Sequence, residues 1–107
     1  MATDREYLDF VIGQLSELDE ITHRSMMGEY IIYYRGKIAA YVCDNRLLVK
    51  PVPSALRLMP EARLEAPYEG AKNMLLVDNI DDKSFLAELF AKMYDELPKP
   101  KKKPVKK

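Results

Sequence analysis

The stretch SMMGEYIIYYRGKIAAYVCDNRLLVK, residues 25–50, decides how the chain folds. Residues 30–34 are β-branched or aromatic throughout, which favours a strand. Arg35-Gly36 suits a two-residue hairpin turn, with the glycine supplying positive φ. Residues 37–43 form the next strand. Asp44-Asn45 tolerates left-handed backbone and turns the chain again into residues 46–50. A short strand over residues 23–27 precedes this meander, and Gly28 marks a bulge or bend between them.

Two tight turns imply a register. A two-residue turn at Arg35-Gly36 pairs Tyr33 with Ile38, Ile31 with Ala40 and Tyr30 with Tyr41. The turn at Asp44-Asn45 pairs Val42 with Leu47 and Ala40 with Val49. Side chains alternate between faces and cross-strand partners share one. The expected core face is therefore Ile31, Tyr33, Ile38, Ala40, Val42, Leu47 and Val49. The reverse receives Tyr30, Ile32, Tyr34, Ala39, Tyr41 and Leu48, edged by Lys37, Arg46 and Lys50. A solvated face would read as polar at these positions. This one is rich in tyrosine. It marks Tyr30, Ile32, Tyr34, Tyr41 and Leu48 as an interface for a second copy or another protein. Cover by the chain's own loop around Pro67 and Tyr68 is the alternative.

Helices flank the meander. Thr3 and Glu6 have the spacing of a capping box. Tyr7, Leu8, Val11, Ile12, Leu15 and Leu18 follow at helical intervals, predicting a helix that ends near Leu18. Pro51 and Pro53 end the meander. PSALRLM opens a short helix that Pro60 stops. Residues 60–73 read mostly as loop, and 74–78 as a short buried strand. Asp81 or Asp82 caps a last helix whose apolar stripe runs from Phe85 through Leu86, Leu89, Phe90 and Met93 to Leu97. The order α-β-β-β-β-α-β-α predicts an α+β two-layer sandwich, an antiparallel sheet with helices on one face. The two longer helices should cover the face carrying Ile38 and Val42.

With 107 residues, 48% hydrophobic and 32% charged, the composition is that of one soluble globular domain. No apolar run approaches the ~20 residues that span a bilayer. One cysteine, Cys43, excludes an internal disulfide and a C-x-x-C site. These features favour the cytoplasm. The zero net charge conceals an asymmetry: residues 98–107 hold six of the 17 basic groups and no acid. The remainder carries a formal charge of −6, from 11 basic and 17 acidic groups. A domain over residues 1–97 with a disordered Lys/Pro-rich tail over 98–107 is expected. Lys99, Lys101, Lys102, Lys103, Lys106 and Lys107 make nucleic acid an alternative partner, by counterion release from phosphates.

The residues resemble the TfoX N-terminal domain family. The resemblance rests on Arg24 and Met26 before Gly28, then Gly36-Lys37, Ala40, Asp44, Leu47 and Lys50, and covers about residues 5–97. The Ala66-Pro67-Tyr68 segment and the final helix also fit. Met27 stands where the family often has Phe, and Glu29 where it often has a second Gly. The resemblance implies an α+β fold and a bacterial, regulatory role. Members include the amino-terminal part of competence regulators and many stand-alone domains. The regulators' carboxy-terminal domain has no counterpart here, so an accessory role is expected. No family catalytic residues carry over.

The residues themselves point away from catalysis. His23 is the single histidine, and no His/Cys/Asp/Glu cluster has metal-ligand spacing. Cys43 lacks a histidine arrangement that would activate it, with only Arg46 as a cationic neighbour. Ser25 and Ser54 have no nucleophile-elbow context. The four glycines form no phosphate loop. The expectation is a non-enzymatic interaction or regulatory domain with no cofactor, no metal and no membrane partner.

Overall fold

In the computed structural model, which describes residues 4–26, 29–67 and 69–97, three helices lie against one antiparallel sheet. The elements run α1 (Arg5–Gln14), β1 (Ile21–Met26), β2 (Glu29–Tyr34), β3 (Lys37–Cys43), β4 (Arg46–Val49) and α2 (Pro53–Leu58). β5 (Leu64–Glu65), β6 (Met74–Leu76), α3 (Lys83–Met93) and a 3-10 turn (Tyr94–Glu96) follow. The sheet has six strands in the order β1-β2-β3-β4-β6-β5. The fold is α+β, as the sequence predicts. β5, only two residues long, is the strand that reading lacks.

Both tight turns form with left-handed backbone at each central residue. φ is 53° and 86° at Arg35 and Gly36, and 52° and 57° at Asp44 and Asn45. That is the mirror-image turn whose twist matches paired strands. The second hairpin has the expected register, with Val42 opposite Leu47 and Ala40 opposite Val49.

The first hairpin departs from its expected register. Tyr33 pairs with Ile38, but Ile32 pairs with Ala40, Ile31 with Tyr41 and Tyr30 with Val42. Ala39 is therefore an extra residue in β3, a β-bulge. Ala39 and Ala40 are successive residues that both join the core beneath the helices. Two consecutive inward side chains must be small, and alanine is.

The bulge reverses the expected sorting of β2. Ile32 and Tyr34 join the helix-covered core, where Tyr30 also packs, while Ile31 and Tyr33 share the opposite side with Tyr41 and Ile38. Of the meander residues expected under the helices, Ala40, Val42, Leu47 and Val49 are there, and Ile31, Tyr33 and Ile38 are not.

The core unites Leu8, Val11 and Leu15 with Ala55, with Leu86, Leu89, Phe90 and Met93 of α3, and with the sheet. Each large side chain so buried contributes about 1.5–3 kcal/mol. Tyr34 meets Phe90 and Tyr94 edge-on, with ring centroids 6.3 and 5.4 Å away. Lys37 lies on this side too, its Nζ 4.1 Å from the Tyr94 ring centroid and donating to the Tyr94 carbonyl at 3.0 Å.

The helix ends differ in detail from the sequence reading. α1 starts after Asp4 and stops at Gln14, with turns beyond, rather than continuing to Leu18. Asp4 makes no side-chain cap; its N–H instead donates to Asn45 Oδ1 at 3.0 Å, docking the helix start on the second turn. Thr3 and Gly28, assigned a cap and a bend, lie outside the described residues. Asp82 does cap α3, Oδ1 accepting from Phe85 N at 3.0 Å. Glu96 Oε1 accepts the Ser54 N–H of α2 at 2.7 Å, joining the last turn to the first turn of that short helix. Among the described residues no helix is long and apolar enough to cross a membrane.

Candidate interaction surface

The side of the sheet away from the helices carries a second, smaller cluster. Cys43, Leu48 and Met74 are buried there, with Tyr41 and Leu76 against them. The loop after β5 brings Pro67, itself buried, beside Tyr41 and Met74. The chain's own loop thus lies beside the β4–β6 end of this side. Toward β1 the side is open. Two cross-strand pairs, Ile31 with Tyr41 and Tyr33 with Ile38, form an apolar strip, flanked on β1 by Arg24 opposite Ile31 and Thr22 opposite Tyr33. Ile31 is buried at 8% exposed, and Tyr33, Ile38 and Tyr41 are half-buried.

The strip ends at a strand edge that is bare among the described residues. There β1 pairs with β2 on one side only, and Thr22, His23, Arg24 and Ser25 are all exposed. Tyr34 closes the two-residue turn against Lys37, so its main-chain groups face β3 and those of its neighbour Tyr33 face β1. Just beyond the β1–β2 ladder, Arg35 N donates to Glu20 O at 3.0 Å, in phase with that alternation. Bonded pairs then fall at Thr22–Tyr33 and Arg24–Ile31. The N–H and C=O groups of Ile21, His23 and Ser25 point outward. Edge strands are commonly blunted by proline, lysine, a bulge or shortness. β5, at the other edge, is short; β1 is six residues long with no proline, lysine or bulge, and Arg24 is its one charged side chain.

The five residues expected to form one interface are therefore divided. Tyr30, Ile32 and Tyr34 belong to the helix side, and Ile32 is fully buried. Tyr41 and Leu48 lie on the other side, where Leu48 is itself buried. Ile31, Tyr33 and Ile38 stand where Tyr30 and its neighbours were expected. The double alanine at 39 and 40 is the sequence signal for this exchange. The six tail lysines lie outside the described residues.

His23 sits on the exposed edge with its ring 6.0 Å from Tyr30, edge to face. Cys43 is fully buried and its thiol pKa is pushed up to about 11. Burial is the main cause; Glu29 and Asp44 raise it further, against the opposing charge of Arg46. Such a thiol is a poor nucleophile near neutral pH. Arg46 is engaged by Glu65 in a half-buried ion pair joining β4 to β5. Among the described residues no group of three or more His, Cys, Asp and Glu is placed to hold a metal.

Residues 13–96 match the TfoX N-terminal domain family. The chain belongs to that family. It is also similar to a protein of Spirochaeta aurantia called "Uncharacterized 12.7 kDa protein in trpE 5'region". The two are 34% identical over 80 residues, which is 75% of this chain and 70% of that relative. No solved structure matches the chain. The matched span of this TfoX N-terminal domain runs from the end of α1 through the 3-10 turn, so it includes the bare edge and the strip beside it.

Proposed function

We propose that this TfoX N-terminal domain is a non-enzymatic, cytoplasmic interaction domain that associates with a second copy of itself along β1. The reading rests on one observation: a six-residue edge strand with no outer neighbour among the described residues, beside an apolar strip. Identical edges are complementary to each other. A two-fold axis through His23 would run β1 antiparallel to its counterpart, so that each outward N–H meets an outward carbonyl of the partner. Ile21 would face Ser25 of the other copy, and His23 its own equivalent. A regulatory role follows from the family's competence regulators. The six lysines of residues 98–107 support a second reading, an accessory module that holds nucleic acid through its tail.

Light scattering on the intact chain tests the first reading. The expected mass is twice 12.4 kDa. His23→Pro removes an outward N–H while sparing the ladder to β2, a placement that edge strands tolerate. It should give a folded monomer, with foldedness checked by circular dichroism and thermal melting. A wild-type monomer at millimolar concentration, or an undiminished dimer in a folded His23→Pro variant, would overturn the reading.

A further inference from the structure

We propose that the cleft beside Tyr41 binds a small aromatic carboxylate. The cleft encloses about 430 Å³, within the usual range for small-molecule sites. It opens where β4 runs out into residues 50–52 and the loop over residues 71–74 returns to the sheet. Its apolar lining comes from Tyr41, Pro51, Val52, Pro67, Ala71 and Met74. Met74 is 4% exposed and Pro67 is buried, so both are fixed by the fold, whereas Tyr41 is half-buried at the cleft wall.

Charge selects the ligand. Lys50 and Lys72 both line the cleft, and the Lys50 Nζ stands 6.0 Å from the Tyr41 ring centroid. Among the described residues neither lysine forms an ion pair. Glu96, the acid in the wall, has Oε1 on the Ser54 N–H at 2.7 Å and Oε2 3.8 Å from Arg57 Nη2. Its charge is thus directed toward α2, leaving the cleft with unmatched positive charge. A carboxylate meets two ammonium donors in charge-assisted hydrogen bonds. A flat ring attached to it packs on Tyr41 and against the Met74 sulfur side chain. Such a cleft favours an anion with an aromatic body over a cation of the same shape.

The site lies at the β4 end of the sheet and needs no second copy of the chain. Titration of the intact, isotope-labelled protein with phenylacetate, followed by amide chemical shifts, tests it. Shifts should concentrate at Tyr41, Lys50, Val52 and residues 71–74. Phenethylamine, the cationic counterpart, should leave them unmoved. Lys50→Met with Lys72→Met should weaken phenylacetate binding roughly tenfold or more, the loss expected with charge-assisted contacts. His23→Pro should bind it unchanged, which separates this site from self-association. No localised shifts at millimolar phenylacetate, an equal response to phenethylamine, or full binding by the double methionine variant would each refute the proposal.

Discussion

Exchanging Ile32 and Tyr33 for alanine, one at a time, tests the bulge that sorts β2. Ile32 is fully buried beneath the helices, in a core shared with Leu8, Val42 and Phe90. Truncation there loses transfer free energy and leaves a cavity, at a cost of about 2–5 kcal/mol. Tyr33 is half-buried on the opposite side, beside Ile38. Its truncation loses partial burial and strand preference, about 1 kcal/mol. Tyr33 is the better comparison because Ile31, though on the same side, is only 8% exposed. The order of effects is the discriminating quantity. Without the bulge, Tyr33 would face the helices and Ile32 would face out, so the larger loss would move to Tyr33. Urea denaturation of both variants reads the difference. With a slope of about 1–2 kcal/mol per molar, a gap of about 2 kcal/mol separates the midpoints by about 1–2 M. Equal slopes are needed for that comparison. A midpoint for Tyr33→Ala at or below that of Ile32→Ala would refute the sorting and, with it, the strip on the open side.

Three further expectations are independent of that one. The Cys43 thiol should resist aromatic disulfide reagents in the folded protein at pH 8 and react at once in denaturant; rapid native labelling would contradict its burial. Its raised pKa also sets a sign: the folded state holds the proton longer than the unfolded chain, so Cys43 should cost stability as pH climbs from about 9 toward 11. A Cys43→Ala variant should show a smaller decline over that window in pH-dependent melts, and an identical decline would remove Cys43 as the cause. In gel shifts at low salt, removal of residues 98–107 should abolish retention of double-stranded DNA while leaving the light-scattering mass per copy number unchanged. Equal retention by both forms would exclude the lysines from nucleic-acid binding.

Much of the architecture was legible before the structure because local chemistry decides it. Gly36 and the Asp44-Asn45 pair accept left-handed backbone, and both turns sit where they do for that reason. The stripe from Phe85 to Met93 is helical in period, and Asp82 caps it. In β4 only one alignment buries Leu47 and Val49 with Ala40 and Val42, so the second hairpin's register is legible in the sequence. The open cleft was not legible. Its walls come from β3, the end of β4, the loop before β6 and the last turn, segments distant in sequence that share no motif.

The amino-acid sequence by itself determined every element but the two-residue β5, the order of the rest, both turns and the membership of the family. Only the tertiary structure decided which side of β2 is inside. Tyr30, Ile31, Ile32, Tyr33 and Tyr34 are apolar or aromatic at every position, so alternation states no preference there. A single bulge, admitted because Ala39 and Ala40 are small enough to lie together under the helices, supplies the answer from outside the strand.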